Sequence, residues 1–297
     1  MEGRELEGRN ELGTETCALC GTDRSVLSDE HIPPKSTGNR GRHRVEILRF
    51  GSTGASEVVS SDGVALRVLC KDCNSRFGSR LGTSFAEFAQ QVQKSGRFVS
   101  RRGGSYVATM DVHPGRIARQ LYLNFLCLTK SRDATHWDGL RDYVRSREGS
   151  QPSTAPRIGL YYNVSNTYRV VPVGALGALG TGKGPWTGAE VTAPGLGVVF
   201  TLGGWDGVHP AIVPKLLDVT DWASRDFSER GSMVLEIPRQ RVDAVYPLGF
   251  GRPREVERWR ERHAIAWLAS RIDADVAPEV AALLWRPVPR KNAGRGR

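Results

Sequence analysis

The chain has 297 residues, of which 39% are hydrophobic and 25% are charged, so it can build a core for two compact domains or one elaborate one and is not disordered overall. Lys and Arg total 42 against 32 for Asp and Glu, a formal net charge of +10, which favours polyanionic partners and nucleic acid first. No apolar run approaches the roughly 20 residues of a membrane helix, and the polar, acidic N-terminus is unlike a secretory signal. These features exclude a membrane protein and predict a cytoplasmic one, with a homo-oligomer left open.

The composition changes along the chain in a way that predicts two domains. Residues 1–14 form a polar leader, 15–146 carry the cysteines and a helical extension, and 147–156 have the Gly, Ser and Pro content of a linker. Residues 157–285 are strand-rich, and 286–297 form a basic tail. We therefore predict an α+β protein in which a cysteine-bearing N-terminal domain precedes a strand-rich α+β domain.

Hydrophobic periodicity predicts the secondary structure. In the N-terminal domain it predicts strands over 45–50 and 64–69, an exposed, turn-rich connection between them, a helix from a capping box at Ser84, and a second helix over 114–130. Further along it predicts strands over 158–162, 168–173, 197–202 and 232–237, and an amphipathic helix over 253–271. The glycine-rich stretch 177–183 matches the start of a phosphate-binding loop. We interpret it as a flexible loop, because the required Ser or Thr and the helix do not follow.

Four of the five cysteines form two Cys-x-x-Cys pairs, Cys17 with Cys20 and Cys70 with Cys73. A tetrahedral zinc ion binds four thiolates at about 2.3 Å, and a two-residue gap lets one tight turn direct both sulfurs at the same point. We therefore predict a closed, structural zinc site, with unrelated buried thiols or a redox pair as the alternatives. The fifth, Cys127, stands in an apolar stretch and is interpreted as a small buried hydrophobe.

Polar residues accompany both cysteine pairs. The segment Glu30-His31-Ile32-Pro33-Pro34 follows the first pair, and the second pair continues as Cys73-Asn74-Ser75-Arg76-Phe77-Gly78. A zinc knuckle that brackets an acid–His–aliphatic–Pro segment and ends in Cys–Asn resembles the zinc-stapled branch of the HNH endonuclease family, over about residues 17–82. This resemblance implies a ββα-metal fold, in which two strands and a helix hold one divalent cation.

The resemblance implies a role for three residues. Glu30 takes the place of the acidic metal ligand, His31 that of the general base, and Asn74 that of the second metal ligand, with Mg²⁺ or Mn²⁺ as the catalytic cation beside the structural Zn²⁺. Histidine can deprotonate water near neutral pH, and a hard cation prefers carboxylate and amide oxygens. Because neighbouring strand residues point to opposite faces, Glu30 and His31 need a local irregularity to reach one site. The alternatives are a packed, structural histidine and an Asn that only caps the helix.

One position departs from the family pattern. The Asn that usually precedes the second cysteine pair, and that is thought to orient the base, is replaced by Ala65. Some zinc-stapled relatives lack this Asn as well, so we interpret the site as a variant. The absence of this Asn is also the best support for the alternative that the chain is a zinc module that binds nucleic acid without cleaving it.

Basic residues are concentrated in and after the motif, with ten Lys and Arg against three acidic residues between Arg67 and Arg119. Such an excess is typical of a surface that follows phosphates. A solvated basic face is the alternative interpretation for any single residue. The nucleic-acid-binding candidates are Lys35, Lys71, Arg76 and Arg80.

The sequence therefore predicts a metal-dependent HNH endonuclease that hydrolyses phosphodiester bonds, with DNA favoured over RNA as its substrate. The frequent use of this family in bacterial anti-phage defence and mobile-element systems makes such a role the expectation. Two alternatives remain: a non-catalytic zinc module that only binds nucleic acid, and a nuclease released by a ligand of residues 157–297.

Overall fold

The computed structural model describes residues 15–24, 26–41, 43–48, 55–60, 62–97, 104–129, 135–148, 151, 153–164, 168–176, 186–205 and 215–240. Some of the sequence-based predictions lie outside these residues. They are the leader 1–14, the glycine-rich loop 177–183, the helix 253–271 and the tail 286–297.

The N-terminal part consists of short antiparallel strand pairs. Strand β1 (Glu15–Thr16) pairs with β2 (Asp23–Arg24) around the first cysteine pair, and β3 (Ser28–His31) pairs with β6 (Ala65–Leu69), which leads into the second. A register shift lies between Ser28 and Asp29, whereas Glu30 and His31 themselves pair in regular register with Leu66 and Ala65. A 3₁₀ turn (Lys35–Thr37) follows β3.

A hairpin of β4 (His43–Leu48) and β5 (Ala55–Ser60) lies between β3 and β6 in the chain. The prediction of a turn-rich connection was wrong for residues 55–60, because they form β5, which pairs with β4 along its whole length. Glycine and serine on both sides of Val58 and Val59 hid the strand preference of this segment.

One continuous helical segment follows β6. It consists of α1 (Lys71–Cys73), a π-helical turn (Asn74–Gly78) and α2 (Ser79–Arg97). The predicted start at Ser84 was wrong, because Ser84 is buried inside α2 and the helical segment begins directly after Cys70, whose extended backbone is its N-cap. Two further helices follow, α3 (Pro114–Leu128), with Pro114 in its first turn as predicted, and α4 (Asp138–Arg145), which a 3₁₀ turn (Thr135–Trp137) precedes.

A seven-stranded mixed sheet forms the other layer of the described residues. The strands of this sheet are β7 (Ser105–Val112), β8 (Arg157–Asn163), β9 (Arg169–Leu176), β10 (Trp186–Ala193), β11 (Leu196–Thr201), β12 (Leu217–Asp218) and β13 (Gly231–Gln240). They run in the order β7-β13-β8-β11-β10-β9, with β12 also paired with β8, and the β13–β8 pair is parallel. The predicted strands correspond to β8, β9, β11 and β13, whereas β7 and β10 were missed.

The sheet and the helices share one hydrophobic core. Phe125 of α3 packs against Phe200 of β11 with ring centroids 5.4 Å apart, and Phe88 of α2 packs edge-on against Trp222 at 5.5 Å. Strand β7 precedes residues 147–156 and β13 follows them, so the sheet contains strands from both sides of the predicted linker. The predicted mixed α+β class is confirmed. No helix of the described residues combines the length and the low polarity that crossing a bilayer requires.

Candidate functional site

The four cysteines of the two pairs form one cluster. Cys17 and Cys20 lie in the turn between β1 and β2, and Cys70 and Cys73 lie at the start of the helical segment. Their sulfur atoms all lie within 4.8 Å of one another. Tetrahedral coordination at about 2.3 Å sets neighbouring sulfurs about 3.8 Å apart, so this cluster could hold a structural metal such as zinc.

Backbone groups help to hold the sulfurs in place. The Cys70 N–H donates to the Cys17 sulfur at 3.3 Å, and Gly21, with a φ of +68°, donates its N–H to the Cys17 carbonyl at 2.9 Å. A hydrogen bond from the Cys73 thiol lowers the pKa of Cys17 to about 4, and the same bond raises the pKa of Cys73. This hydrogen bond favours the thiolate at Cys17, the charged form that binds a metal.

The first cysteine turn is tied to two distant elements. Arg141 of α4 donates from Nε to the Ala18 carbonyl at 3.1 Å, while its Nη1 forms an ion pair with Asp138 at 2.8 Å. The Ala18 N–H donates to the Val68 carbonyl of β6 at 2.9 Å. The turn therefore cannot move without disturbing both β6 and α4.

Glu30 and Asn74 present oxygen atoms to the same glycine. The Asn74 Nδ2 donates to the Ser28 hydroxyl at 3.1 Å and to the Asp29 carbonyl at 3.0 Å, which directs its Oδ1 the other way. A Cβ atom added at Gly78 would lie 3.1 Å from Asn74 Oδ1 and 3.9 Å from Glu30 Oε2. The β3–β6 pair and the π-helical turn thus bring the predicted acidic and amide ligands together.

The Glu30 carboxyl group is buried. The residue is only 6% exposed, and this desolvation raises its pKa to about 7. A nearby cation stabilises the charged form of a carboxylate that is buried in this way. Hard divalent cations prefer carboxylate and amide oxygens as ligands. The donor set at Gly78 therefore suits a hard cation.

His31 is fixed by the segment that precedes β6. Its Nε2–H donates to the backbone carbonyl of Asp62 at 2.8 Å. Because a carbonyl oxygen only accepts, the proton of the neutral ring lies on Nε2 and Nδ1 carries the lone pair. Burial lowers the pKa of His31, which favours this neutral form.

Asp62 is a site residue that the sequence reasoning missed. Ala65, the residue in the place of the family's Asn, lies opposite His31 in the β3–β6 register, but the contact to the imidazole comes from Asp62. The Asp62 carboxylate also lies 3.7 Å from His31 Nε2 and accepts a bond from Lys35 Nζ at 2.6 Å. Every residue has a backbone carbonyl, so a contact made through one does not show in the sequence. The acidic side chain beside Gly63 is the one feature that could have drawn attention to this position.

Asn39 is a second missed residue, and it fastens the two sides of the site. Its Nδ2 donates to the carbonyls of Pro33 at 2.6 Å and Val64 at 2.9 Å, and its Oδ1 accepts the Val64 N–H at 2.7 Å. The side chain is fully buried. It therefore links the loop after His31 to the segment that carries Asp62.

The predicted nucleic-acid-binding residues occupy different surroundings. Lys35 pairs with Asp62, as described, and Lys71 is exposed at the start of α1. Arg76 is exposed and lines a cleft of about 390 Å³ beside Cys20 and Cys73. Arg80 is half-buried, and its guanidinium lies 4.4 Å from the ring centre of Phe227.

No protein-family model matches the chain, and no curated protein and no solved structure matches it. The described residues define an α+β protein with a four-cysteine cluster that could hold a structural metal. The oxygen ligands at Gly78 and the imidazole held by Asp62 are the basis for a more specific proposal.

Proposed function

We propose that the chain is a metal-dependent endonuclease of the HNH type that hydrolyses phosphodiester bonds, with DNA as its substrate. One observation carries this proposal. A pair of strands and the following helical turn bring the Glu30 carboxylate and the Asn74 carbonyl oxygen together at Gly78, while the residue next to Glu30 is a histidine with a fixed tautomer. The HNH resemblance assigns the same three residues to the metal and the base.

Glu30 and Asn74 would hold the catalytic cation. A Mg²⁺ or Mn²⁺ ion bound there would supply positive charge to the phosphate and to the leaving oxygen. The fit rests on the buried carboxylate and on the two hydrogen bonds that turn Asn74 Oδ1 toward Gly78. The cysteine cluster would have a separate, structural role, because four sulfur ligands leave a tetrahedral metal no open coordination position.

His31 would act as the general base. With its Nε2–H donated to Asp62, its Nδ1 can accept a proton from a water molecule. The water oxygen then forms a bond to phosphorus, the bond from phosphorus to the leaving oxygen breaks, and that oxygen takes up a proton from solvent. The Asp62 carbonyl would stabilise the resulting imidazolium, because the hydrogen bond from Nε2–H to this carbonyl strengthens when the ring becomes charged.

A plasmid assay tests the proposal. The zinc-loaded full chain is incubated with supercoiled DNA and Mg²⁺ or Mn²⁺, and we expect nicked or linear product. His31→Ala should lower the rate by about 10²- to 10⁴-fold while the zinc content stays unchanged. His136→Ala is the matched control, because His136 is exposed and its ring contacts Trp137 edge-on.

Three results would redirect the proposal. Cleavage that survives His31→Ala would remove this residue as the base. Tight DNA binding without cleavage in any metal would favour the non-catalytic zinc module. Cleavage that requires a cell extract or a nucleotide would favour a nuclease gated through its C-terminal residues.

A further inference from the structure

Four arginines surround one aromatic ring, that of Phe227. Phe227, which lies between the 3₁₀ helix Thr220–Ser224 and β13, is 7% exposed. The guanidinium carbons lie 4.4, 4.8, 5.5 and 6.0 Å from its ring centre, for Arg80, Arg116, Arg119 and Arg147 respectively. They come from α2, from α3 and from the residues after α4, so tertiary structure creates the cluster.

Acidic side chains in the described part of the chain form no direct ion pair with this cluster, although the Asp226 carboxylate, next to Phe227 in the chain, interacts with Arg119 at longer range. Within the described residues, no carboxylate oxygen lies within 4.0 Å of a guanidinium nitrogen of these four arginines. Burial lowers the pKa of Arg80, and the nearby charges of Arg147, Arg116, Arg76 and Arg119 lower it further. Contact with an aromatic face attracts each cation but leaves their mutual repulsion in place.

The cluster has a fixed base and unused donors. Arg119 is 1% exposed and satisfied, with bonds from Nε to the Ser146 carbonyl at 3.0 Å and from Nη1 to the Gly115 carbonyl at 3.0 Å. Arg116 is held by a bond from Nε to the Phe227 carbonyl at 3.0 Å. In contrast, Arg80 Nη2 is buried and has no hydrogen-bond partner among the described residues. A buried, charged donor without an acceptor is costly unless a ligand supplies one.

The position of Arg80 relates the cluster to the proposed metal centre. Asn74 and Arg80 belong to the same helical segment. The cluster and the proposed metal centre are therefore carried by one structural element, on different faces of it.

We propose that Arg80, Arg116 and Arg147, supported by the buried charge of Arg119, form a phosphate-binding site that holds a backbone phosphate of the nucleic-acid strand. The site rests on the proposed function for its choice of ligand. The recognised group is a phosphate, which planar guanidinium groups bind through paired N–H donors.

Equilibrium DNA binding is the first test. The zinc-loaded full chain is titrated against a fluorescently labelled DNA duplex without divalent cation at several KCl concentrations. We expect Arg80→Gln to raise the Kd about tenfold, the loss of one charged hydrogen-bonding pair, and to reduce the slope of log Kd against log salt by about 0.9. Arg230→Gln is the control, because Arg230 is 61% exposed on its side chain and already paired with Asp111 at 2.6 Å; its Kd should change by less than about twofold.

Thermal unfolding in inorganic phosphate, compared with KCl of equal ionic strength, is the second test. Phosphate should raise the Tm of the wild type and of Arg230→Gln but not of Arg80→Gln. In KCl alone Arg80→Gln should not lower the Tm, since the substitution relieves repulsion; a purely structural arginine would lower it.

Each outcome has a defined meaning. If the phosphate response is lost but DNA affinity is kept, the site takes a free anion and its assignment to a strand is wrong. If Arg80→Gln and Arg230→Gln behave alike in both tests, or if the wild type binds no DNA, the proposal is overturned. Neither test uses cleavage, so a failure of the proposed nuclease activity is measured separately.

Discussion

Cys73 and Asn74 are neighbours in the chain, yet they belong to two groups with different chemistry. Cys73 completes a cluster in which four sulfurs face one another. Asn74 directs a carbonyl oxygen to Gly78, where the Glu30 carboxylate meets it. The first group would be closed, because four sulfurs would fill the tetrahedron of a bound metal. The second is open, because only the oxygens of two side chains converge on it.

The two groups also differ in what supports them. The cysteine cluster is braced by Arg141 and Val68, which bind the backbone of Ala18. In the oxygen group, Asn74 is held by its bonds to Ser28 and Asp29. The neighbouring His31 is held by Asp62, on a segment that Asn39 fixes through Val64. We conclude that the sulfurs set the fold around the helix start, and that a polar loop sets the geometry in which chemistry would occur.

Removal of one sulfur should have the largest effect. Cys70→Ser leaves three thiolates and should abolish tight zinc binding, and since zinc-binding energy is folding energy in such sites, on the order of 10 kcal/mol, the N-terminal part should unfold. Zinc content by mass spectrometry and circular dichroism measure this. Cys127→Ser is the control, because Cys127 is buried in α3 outside the cluster. Equal zinc content in the two variants would contradict a metal role for the cluster.

In the absence of a divalent cation, the buried Glu30 carboxyl should make the free energy of unfolding depend on pH. Burial raises its pKa from 4.5 to about 7, so the folded state keeps a proton that the unfolded chain releases. The contribution of this carboxyl to the free energy of unfolding is fully present below pH 4.5 and is lost as the pH rises through 7. At 1.36 kcal/mol per pKa unit, the loss amounts to about 3 kcal/mol. Urea unfolding from pH 4.5 to 8 should show this decline in the wild type and not in Glu30→Gln.

Mg²⁺ sharpens that experiment. At pH 8 it should restore stability to the wild type and leave Glu30→Gln unchanged, because only the carboxylate gains from the cation. Asp29→Asn is the control, since Asp29 is exposed next to Glu30. A parallel pH decline in the wild type and in Glu30→Gln would show that this carboxyl is not the titrating group.

A matched pair of glycine substitutions should have the smallest effect and tests the polar loop. Gly63 and Gly203 have φ values of +79° and +80°, so alanine is strained at both, by about 1–2 kcal/mol. A Cβ at Gly63 would lie 2.5 Å from Asn39 Oδ1, whereas nothing lies within 4 Å of one at Gly203. Gly63→Ala should therefore cost about 1–2 kcal/mol more than Gly203→Ala and should slow cleavage, which the second substitution leaves unchanged. Equal losses of stability and of rate would show that Asn39 does not position Asp62.

The parts of the site that could be predicted share a physical reason. Cysteine metal sites need fixed spacing, so the two Cys-x-x-Cys pairs that form the cluster are visible in the sequence. Asp62 holds His31 through a carbonyl that every residue possesses, and Asn39 acts across a loop. No local pattern marks either contact.

The fold divides in a similar way. Periodicity predicted β8, β9, β11 and β13, because each has a run of β-branched or aromatic residues. It could not predict the pairing of β7 with β13, since strands distant in the chain choose their partners through tertiary packing. The four-arginine cluster around Phe227 has the same origin, because its members come from segments that only the folded chain brings together.

Arg141 reaches across 123 positions of the chain to the carbonyl of Ala18. With an ion bound to the sulfur cluster, this bond would couple ion binding to the docking of α4, and such a coupling free energy is reciprocal by thermodynamic necessity. A change that loosens α4 would weaken retention of the ion by the same factor by which loss of the ion would loosen α4. The cysteine turn would then anchor its own hairpin and, through the Arg141 guanidinium, a helix that lies more than a hundred residues away in the chain.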